Sequence, residues 1–349
     1  MSPSGRHIVL VGPGLLHSSD GGVTWDSTNN CCGPGRIMDF GDESHLFGVG
    51  SNPGSGYAAV YQSIDYGMSW FVNELPQHFI FFSEVDFVDS VNGWATGDKD
   101  FIVTTKDGWQ TWTAQSYGIP GYRGGGVSFI DSLHGWVGGG LQGTDTAVVA
   151  TTDGGNTWNH YSAGIPFFSG GHIDFVDSLH GWLRAAGKGV YHSTDGGRIW
   201  AEQGTFSYFG GSVGRVQAVD SLHAWVFGDY FAPYIWKTTD GGQNWELEYN
   251  GAGGTLLDAV MVDRWHGVAV GDYGTVLIYS PQATLGDLNG DGEITVTDVV
   301  LELNKVFLNQ SFVCPDQAAD LNCDATFSPS DVVLLLNRVF LGTPLPCTN

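Results

Sequence analysis

Thr151-Thr152-Asp153-Gly154-Gly155-Asn156-Thr157-Trp158 is an octet that the chain writes six times. The other copies end at Trp25, Trp70, Trp112, Trp200 and Trp245, and their aspartates are Asp20, Asp65, Asp107, Asp195 and Asp240. With Asp153 included, the steps are 45, 42, 46, 42 and 45 residues. A period in the forties, filled with short strands, is the spacing of propeller blades. A second motif runs in phase. Asp131-Ser132-Leu133-His134-Gly135-Trp136 returns at Asp177 to Trp182 and, with Ala for Gly, at Asp220 to Trp225. Looser copies start at Asp42, Asp89 and Asp263. Apolar runs with strand-like alternation flank each copy. Each unit therefore reads as strand A, an Asp-x-x-His turn, strand B, a loop, strand C, an Asp-Gly-Gly turn and strand D.

The turn chemistry supports this. An Asp carboxylate accepts backbone N–H bonds a few residues on, and the Gly supplies positive φ. The closing Trp is expected to stack on the neighbouring blade. Trp109 stands where Gly is usual, which predicts a distorted third turn. Catalysis does not need six copies of one carboxylate, so the octets are structural. His45, His134, His180, His223 and His266 fall one to a blade, too far apart to share one metal ion.

On these motifs the octet resembles the Asp-box, or BNR repeat. With its phased Gly-Trp turn it is similar to the Ycf48-like repeats of secreted bacterial proteins. The resemblance covers about residues 6–280 and implies a fold, not an activity. Five whole units and two partial ones predict seven blades, the first without strand A and the last without strand D. The expected class is all-β, a seven-bladed β-propeller at 1–280, with a linker at 281–285 and a small helical module at 286–349.

Composition narrows the function. Of 349 residues, 53 are Gly, and acids outnumber bases 37 to 13 for a formal charge of −24. That balance disfavours nucleic acid and anionic membranes, both of which attract Lys and Arg. No apolar run is long enough to span a membrane, and no signal-peptide apolar core follows Met1. The five cysteines show no CxxC spacing. Cys314 has Cys323 and Cys347 as alternative disulfide partners.

The tail carries two twelve-residue loops. Asp287, Asn289, Asp291, Glu293, Thr295 and Asp298 form the first ligand set, with Gly292 at position 6. Asp320, Asn322, Asp324, Thr326, Ser328 and Asp331 form the second, with Ala325 there instead. Oxygen donors at positions 1, 3, 5, 9 and 12, with a carbonyl at 7, are what a hard cation needs. Helices are expected at 299–308 and 332–341. The pair resembles a type I dockerin, with Lys305 and Arg338 at matching helix positions. The resemblance implies two calcium ions, and as partner a cohesin-like module or the chain's own propeller. Val296-Thr297 and Pro329-Ser330 replace the frequent Ser/Thr pair at the cohesin-facing positions. Both modules imply an extracellular or cell-surface location, with any signal peptide absent from this chain.

Candidate ligand residues lie on the face opposite the Asp-boxes, where variable loops carry function. Phe81, Phe82, Tyr122, Arg123, Phe168, Tyr208 and Tyr230 are the candidates for a glycan- or protein-binding platform. Asp98, Asp229 and Asp272 share one register and are the candidate catalytic acids, since paired carboxylates serve glycosidases. The arginine cluster and Arg-Ile-Pro signature of a sialidase are missing. Two readings follow. One is a noncatalytic recognition or scaffold module. The other is an extracellular polysaccharide hydrolase or lyase, with a small-molecule hydrolase as a third.

Overall fold

The computed structural model describes residues 1–11, 15–28, 37–52, 54–75, 82–97, 100–140, 145–166, 171–185, 189–204, 212–229, 233–251, 255–279, 286, 294–296, 298–301, 303, 321, 328–342 and 345. They divide into two compact units, Met1–Ile278 and Tyr279–Asn349.

The first unit is a seven-bladed β-propeller. Its seven antiparallel sheets comprise five of four strands and two of three. Blade 1 (Ile8–Val11, Leu15–Ser18, Asp26–Thr28) supplies strands B to D, and blade 7 (Leu256–Met261, Gly267–Gly271, Val276–Tyr279) supplies A to C. These are the two incomplete blades that the repeat count required. Strand A lies at one edge of each complete sheet, and the A strands of blades 2 to 7 pack side by side around the centre. They are Ile37–Phe40, Phe82–Phe87, Arg123–Phe129, Ile173–Phe175, Ser212–Ala218 and Leu256–Met261. Gly22 of blade 1 lies so close to Ile278 of blade 7 that a Cβ there would collide with it, which closes the ring.

Each Asp-box is a closed hydrogen-bond circuit. Thr157 donates its N–H to Asp153 Oδ1 (2.9 Å) and its hydroxyl to Oδ2 (2.7 Å). Thr151 Oγ1 donates to Asp153 Oδ1 and accepts from Gly155 N. Gly154 N then donates to Leu133 O in the A–B turn of the same blade. The same link joins Gly108 to Val91, Gly196 to Leu179 and Gly241 to Leu222, so Asp-boxes and A–B turns share one face. With donors wrapped around it, the Asp20 carboxyl is driven down to about 2, chiefly by the Thr24 hydroxyl.

Two sequence expectations are corrected. The third turn is not distorted: Trp109 takes φ 66 and keeps the hydrogen bond to Thr105 Oγ1 at 3.0 Å. The left-handed conformation costs a non-glycine residue about 1–2 kcal/mol. Burial of the indole against Phe87 offsets it. Second, the plate stacked face to face between blades is the strand-B Trp, while the Asp-box Trp lies in the same seams without stacking: Trp70, Trp112, Trp158, Trp200 and Trp245 each pack in a core shared with the preceding blade. Trp94 stacks on Phe129 at 3.6 Å, and Trp136 stacks on Phe175 at 3.8 Å, each reaching the next blade. Their indole N–H groups donate to Gly154 O and Gly196 O of that blade. Trp158 and Trp200 meet the same phenylalanines edge-on, at 89° and 85°. The glycine before the strand-B Trp is packing-driven: a Cβ on Gly135 would stand 2.3 Å from the Phe129 ring.

In the second unit, helix α1 spans Pro329–Leu341, starting three residues before the expected Val332. Pro329 sits in its first turn, and Ser328 with Asp331 forms a capping box. Gly342, left-handed at φ 66, ends it. Residues 296, 298–301 and 303 are also helical. Val299, Leu321 and Leu335 form the small core, with Ile294, Val339 and Leu345 packed on it.

Candidate functional site

The inner strands build a polar centre that sequence reasoning did not assemble. Alternate residues point away from the blade cores. Asp39, Asp86, Ser128, Asp174 and Gln217 each reach the next blade and accept a backbone N–H there, from Phe87, Phe129, Phe175, Ala218 and Met261. This ladder stitches blades 2 to 7 together. Its carboxylates are costly. Burial pushes Asp39 up to about 6. Burial and then the charge of Asp39 push Asp86 well above the ordinary range. Burial also raises Asp174.

Two residues earlier on each strand is a second ring, and its members differ. Arg215 of blade 6 pairs with Glu84 of blade 3 at 3.0 Å and with Asp258 of blade 7. His172 Nε2 of blade 5 approaches the same Glu84 oxygen at 3.2 Å. Blades 3 and 6 are not neighbours, so the Arg215–Glu84 pair crosses the axis. Arg215 and Asp258 stay 30% and 54% exposed although blades surround them, as groups lining a water-reached channel would. Burial favours neutral Glu84, but His172 and Arg215 outweigh it and the pKa falls. Glu84 and Asp86 are therefore shifted in opposite directions on one strand.

The sequence-derived candidates fare unevenly. Tyr122 is buried at 0% exposure and its hydroxyl donates to Val137 O at 3.0 Å. It closes the core and presents no face to a ligand, which corrects its candidacy. Phe82 is half-buried against the blade 2–3 core. Arg123 is exposed at the start of its strand. Asp272 begins a 3-10 turn and donates its N–H to Thr255 O, while Asp229 ends strand B of blade 6. Asp98, Phe81, Phe168, Tyr208 and Tyr230 lie outside the described residues. The missed signal was the polar alternation on the inner strands, as in Glu84-Val85-Asp86 and His172-Ile173-Asp174.

Of the twelve loop ligands in the tail, Thr295, Asp298, Ser328 and Asp331 are described. Asp287, Asn289, Asp291, Glu293, Asp320, Asn322, Asp324 and Thr326 lie outside. Asp298 and Asp331 at position 12 are both fully buried. Asp298 accepts from Thr295 N at 2.8 Å, and Asp331 accepts from Leu321 N and Ser328 N. Among the described residues, no group of three His, Cys, Asp or Glu is placed to hold a metal. The donor set of buried carboxylates and hydroxyls suits a hard, oxygen-seeking cation.

The family comparisons bear on both units. Residues 125–285 match the family model of the photosynthesis system II assembly factor YCF48, and residues 285–340 match the dockerin type I domain. The chain joins a Ycf48-like propeller to a type I dockerin-like module. Among solved structures, YCF48 bound to D1 peptide is 17% identical with a TM-score of 0.62, covering 80% of this chain and 90% of that one. YCF48 from Cyanidioschyzon merolae is also 17% identical, with a TM-score of 0.58 over 79% and 91%. A GH74 xyloglucanase from Xanthomonas campestris is 15% identical with a TM-score of 0.50, covering 76% of this chain and half of that one. A search of curated protein sequences returned no match. At these identities the structural likeness establishes the fold of the Ycf48-like propeller. Among the described residues no helix is long and apolar enough to cross a membrane.

Proposed function

We propose that the chain is a secreted, calcium-binding recognition or scaffold protein. Its Ycf48-like propeller binds a protein segment or glycan on the variable loop face, without catalysis. Its dockerin-like module holds two calcium ions and docks onto a cohesin-like module or onto the propeller. The ions would be held by the two loop sets ending at Asp298 and Asp331. Bound calcium would neutralise those carboxylates, and the chain's residues would then fix the helix starts through the Ser328–Asp331 cap.

The observation that carries the noncatalytic reading is the Arg215–Glu84 pair. It spans the axis where a propeller enzyme would seat a substrate, and its charges are spent on one another. The solved YCF48 with a D1 peptide supports a protein segment as the ligand class. A second reading, a polysaccharide hydrolase, draws on the xyloglucanase likeness and on Glu84 and Asp86. Carboxyls with pKa values pushed apart are the pattern of an acid–base pair.

The test pairs glycan and peptide arrays with a reducing-sugar assay, and immobilised cohesin modules with and without EDTA. The proposal expects array binding, no sugar release, and cohesin binding that EDTA abolishes. Sugar release lost in Glu84→Gln would replace it with the hydrolase. Cohesin binding by the untreated chain that survives EDTA would sink the calcium-dependent docking.

A further inference from the structure

The Asp-box face carries an apolar feature that its fold does not require. In the A–B turns of blades 3 to 6, the residue just before His or Asn is Val91, Leu133, Leu179 and Leu222. Their exposures are 42%, 50%, 49% and 50%. Blade 2 makes the same turn with Ser44 in that place. Ser44 N and His45 N donate to Asp42 Oδ1, as Leu133 N and His134 N donate to Asp131 Oδ1. The turn thus closes with serine, and burial does not account for the aliphatics. Single exposed aliphatics are ordinary. One position repeated in four consecutive blades is an arc, held rigidly because the carbonyl of each of these residues receives the Asp-box glycine N–H.

Blade 5 adds a second observation. Its Asp-box has Ile199 where Thr24, Thr111 and Thr157 stand in other copies. Those threonines donate a hydroxyl to their aspartate. At Ile199 only the backbone N–H reaches Asp195. The blade gives up a hydrogen bond and places an aliphatic that is 72% exposed on the same face as the arc.

The surroundings choose the occupant. The A–B turns and Asp-boxes bring thirteen carboxylates to this face, against Lys106, Arg198, Arg264 and Arg6, whose carbonyl takes the Gly21 N–H in blade 1. We propose that the arc of Val91, Leu133, Leu179 and Leu222 is a docking surface for a protein partner that presents a basic, aliphatic face, such as an amphipathic helix rich in Leu and Lys. Such a partner matches the arc by burial and its acidic rim by charge. Nucleic acid, an anionic membrane and a second copy of this chain are all repelled. Sugars stack on aromatic rings, and the one ring at this turn position is the half-buried Trp265 of blade 7, against four aliphatics in blades 3 to 6. Desolvation raises the turn carboxyls, but donors from the turn outweigh it and lower Asp131, Asp177 and Asp220, so the rim remains charged well below neutral pH. This surface is distinct from the loop face, so the propeller engages partners on both sides.

The experiment measures anisotropy of a fluorescein-labelled amphipathic peptide of ~18 Leu and Lys residues on the full chain with calcium, at ~0.15 M salt. Binding is expected, with none for the matching Leu/Glu peptide. The triple variant Leu133→Ser, Leu179→Ser, Leu222→Ser keeps every charge and is expected to bind at least about tenfold more weakly. Phe71→Ser with Leu247→Ser, exposed on outer strands, is expected to stay within about twofold. Ile199→Thr guards against misfolding, because it restores the Asp195 hydroxyl bond. It is expected to melt no lower than wild type yet bind about two- to threefold more weakly. No binding by wild type, a triple variant within about twofold of it, an outer-strand control that loses as much as the triple, or an Ile199→Thr protein that binds as well as wild type would overturn the proposal.

Discussion

Gly181→Ala tests the claim that an aromatic ring, rather than backbone freedom, selects glycine before the strand-B Trp. The new methyl carbon would stand 2.5 to 2.6 Å from three ring carbons of Phe175. That is about 1 Å inside ordinary carbon–carbon contact of ~3.5–4.0 Å. The ring cannot retreat freely, since Trp136 is stacked 3.8 Å from it and Trp200 meets it edge-on at 5.9 Å. Overpacking of this kind costs about 1–3 kcal/mol. Phe175→Ala alone leaves a void between blades 4 and 5 worth about 3–5 kcal/mol. In the double variant the added methyl enters that void, so its loss should fall short of the sum by about 1–2 kcal/mol. The chain contains a natural counterpart, for Ala218 pairs with Ala224 at the same places in blade 6. Urea titration followed by tryptophan fluorescence on all four proteins measures the cycle. A Gly181→Ala protein within about 0.5 kcal/mol of wild type, or simple additivity, would refute the reasoning.

Asp86→Asn keeps an acceptor for Phe129 N and removes a buried charge. Because the folded pKa of Asp86 is raised, its ionisation costs stability only above the unfolded value of 3.8. The variant should match wild type near the bottom of that range and gain about 1–3 kcal/mol as pH rises towards 8; a gain that is the same at every pH would contradict the channel electrostatics. Trp109→Gly relieves the left-handed strain but empties a buried site, so a net loss of about 2–3 kcal/mol is expected, and a more stable glycine variant would show the indole is not what compensates. EDTA should lower the helical circular dichroism of the full chain while its β signal persists. Asp331→Ala should remove one of two calcium binding heats and weaken α1 by about 1 kcal/mol. Unchanged calcium titration of that variant would remove Asp331 from the ligand set.

What the repeats share was readable in sequence, and what distinguishes them was not. The octet and the Asp-x-x-His turn are local circuits closed within about six residues, so spacing alone exposes them. The two tryptophans of each of blades 3 to 6 recur with the same period, and periodicity cannot tell the one that stacks from the one that meets it edge-on. The pairing of Ala218 with Ala224 was legible in principle, since the Ala-Trp copy of the motif follows an inner strand that ends in Ala218 where those of blades 2 to 5 end in phenylalanine. The centre is a different case. Arg215 and Glu84 lie 131 residues apart and meet only because the ring closes. The two inner rings also obey different constraints. Asp39, Asp86, Ser128, Asp174 and Gln217 vary in kind, yet every one accepts a hydrogen bond from the next blade, which is a structural demand. Ile37, Glu84, Gly126, His172, Arg215 and Asp258 occupy the other ring with no common property. Repetition there has been abandoned position by position, and individual chemistry, a cross-channel pair among it, has taken its place.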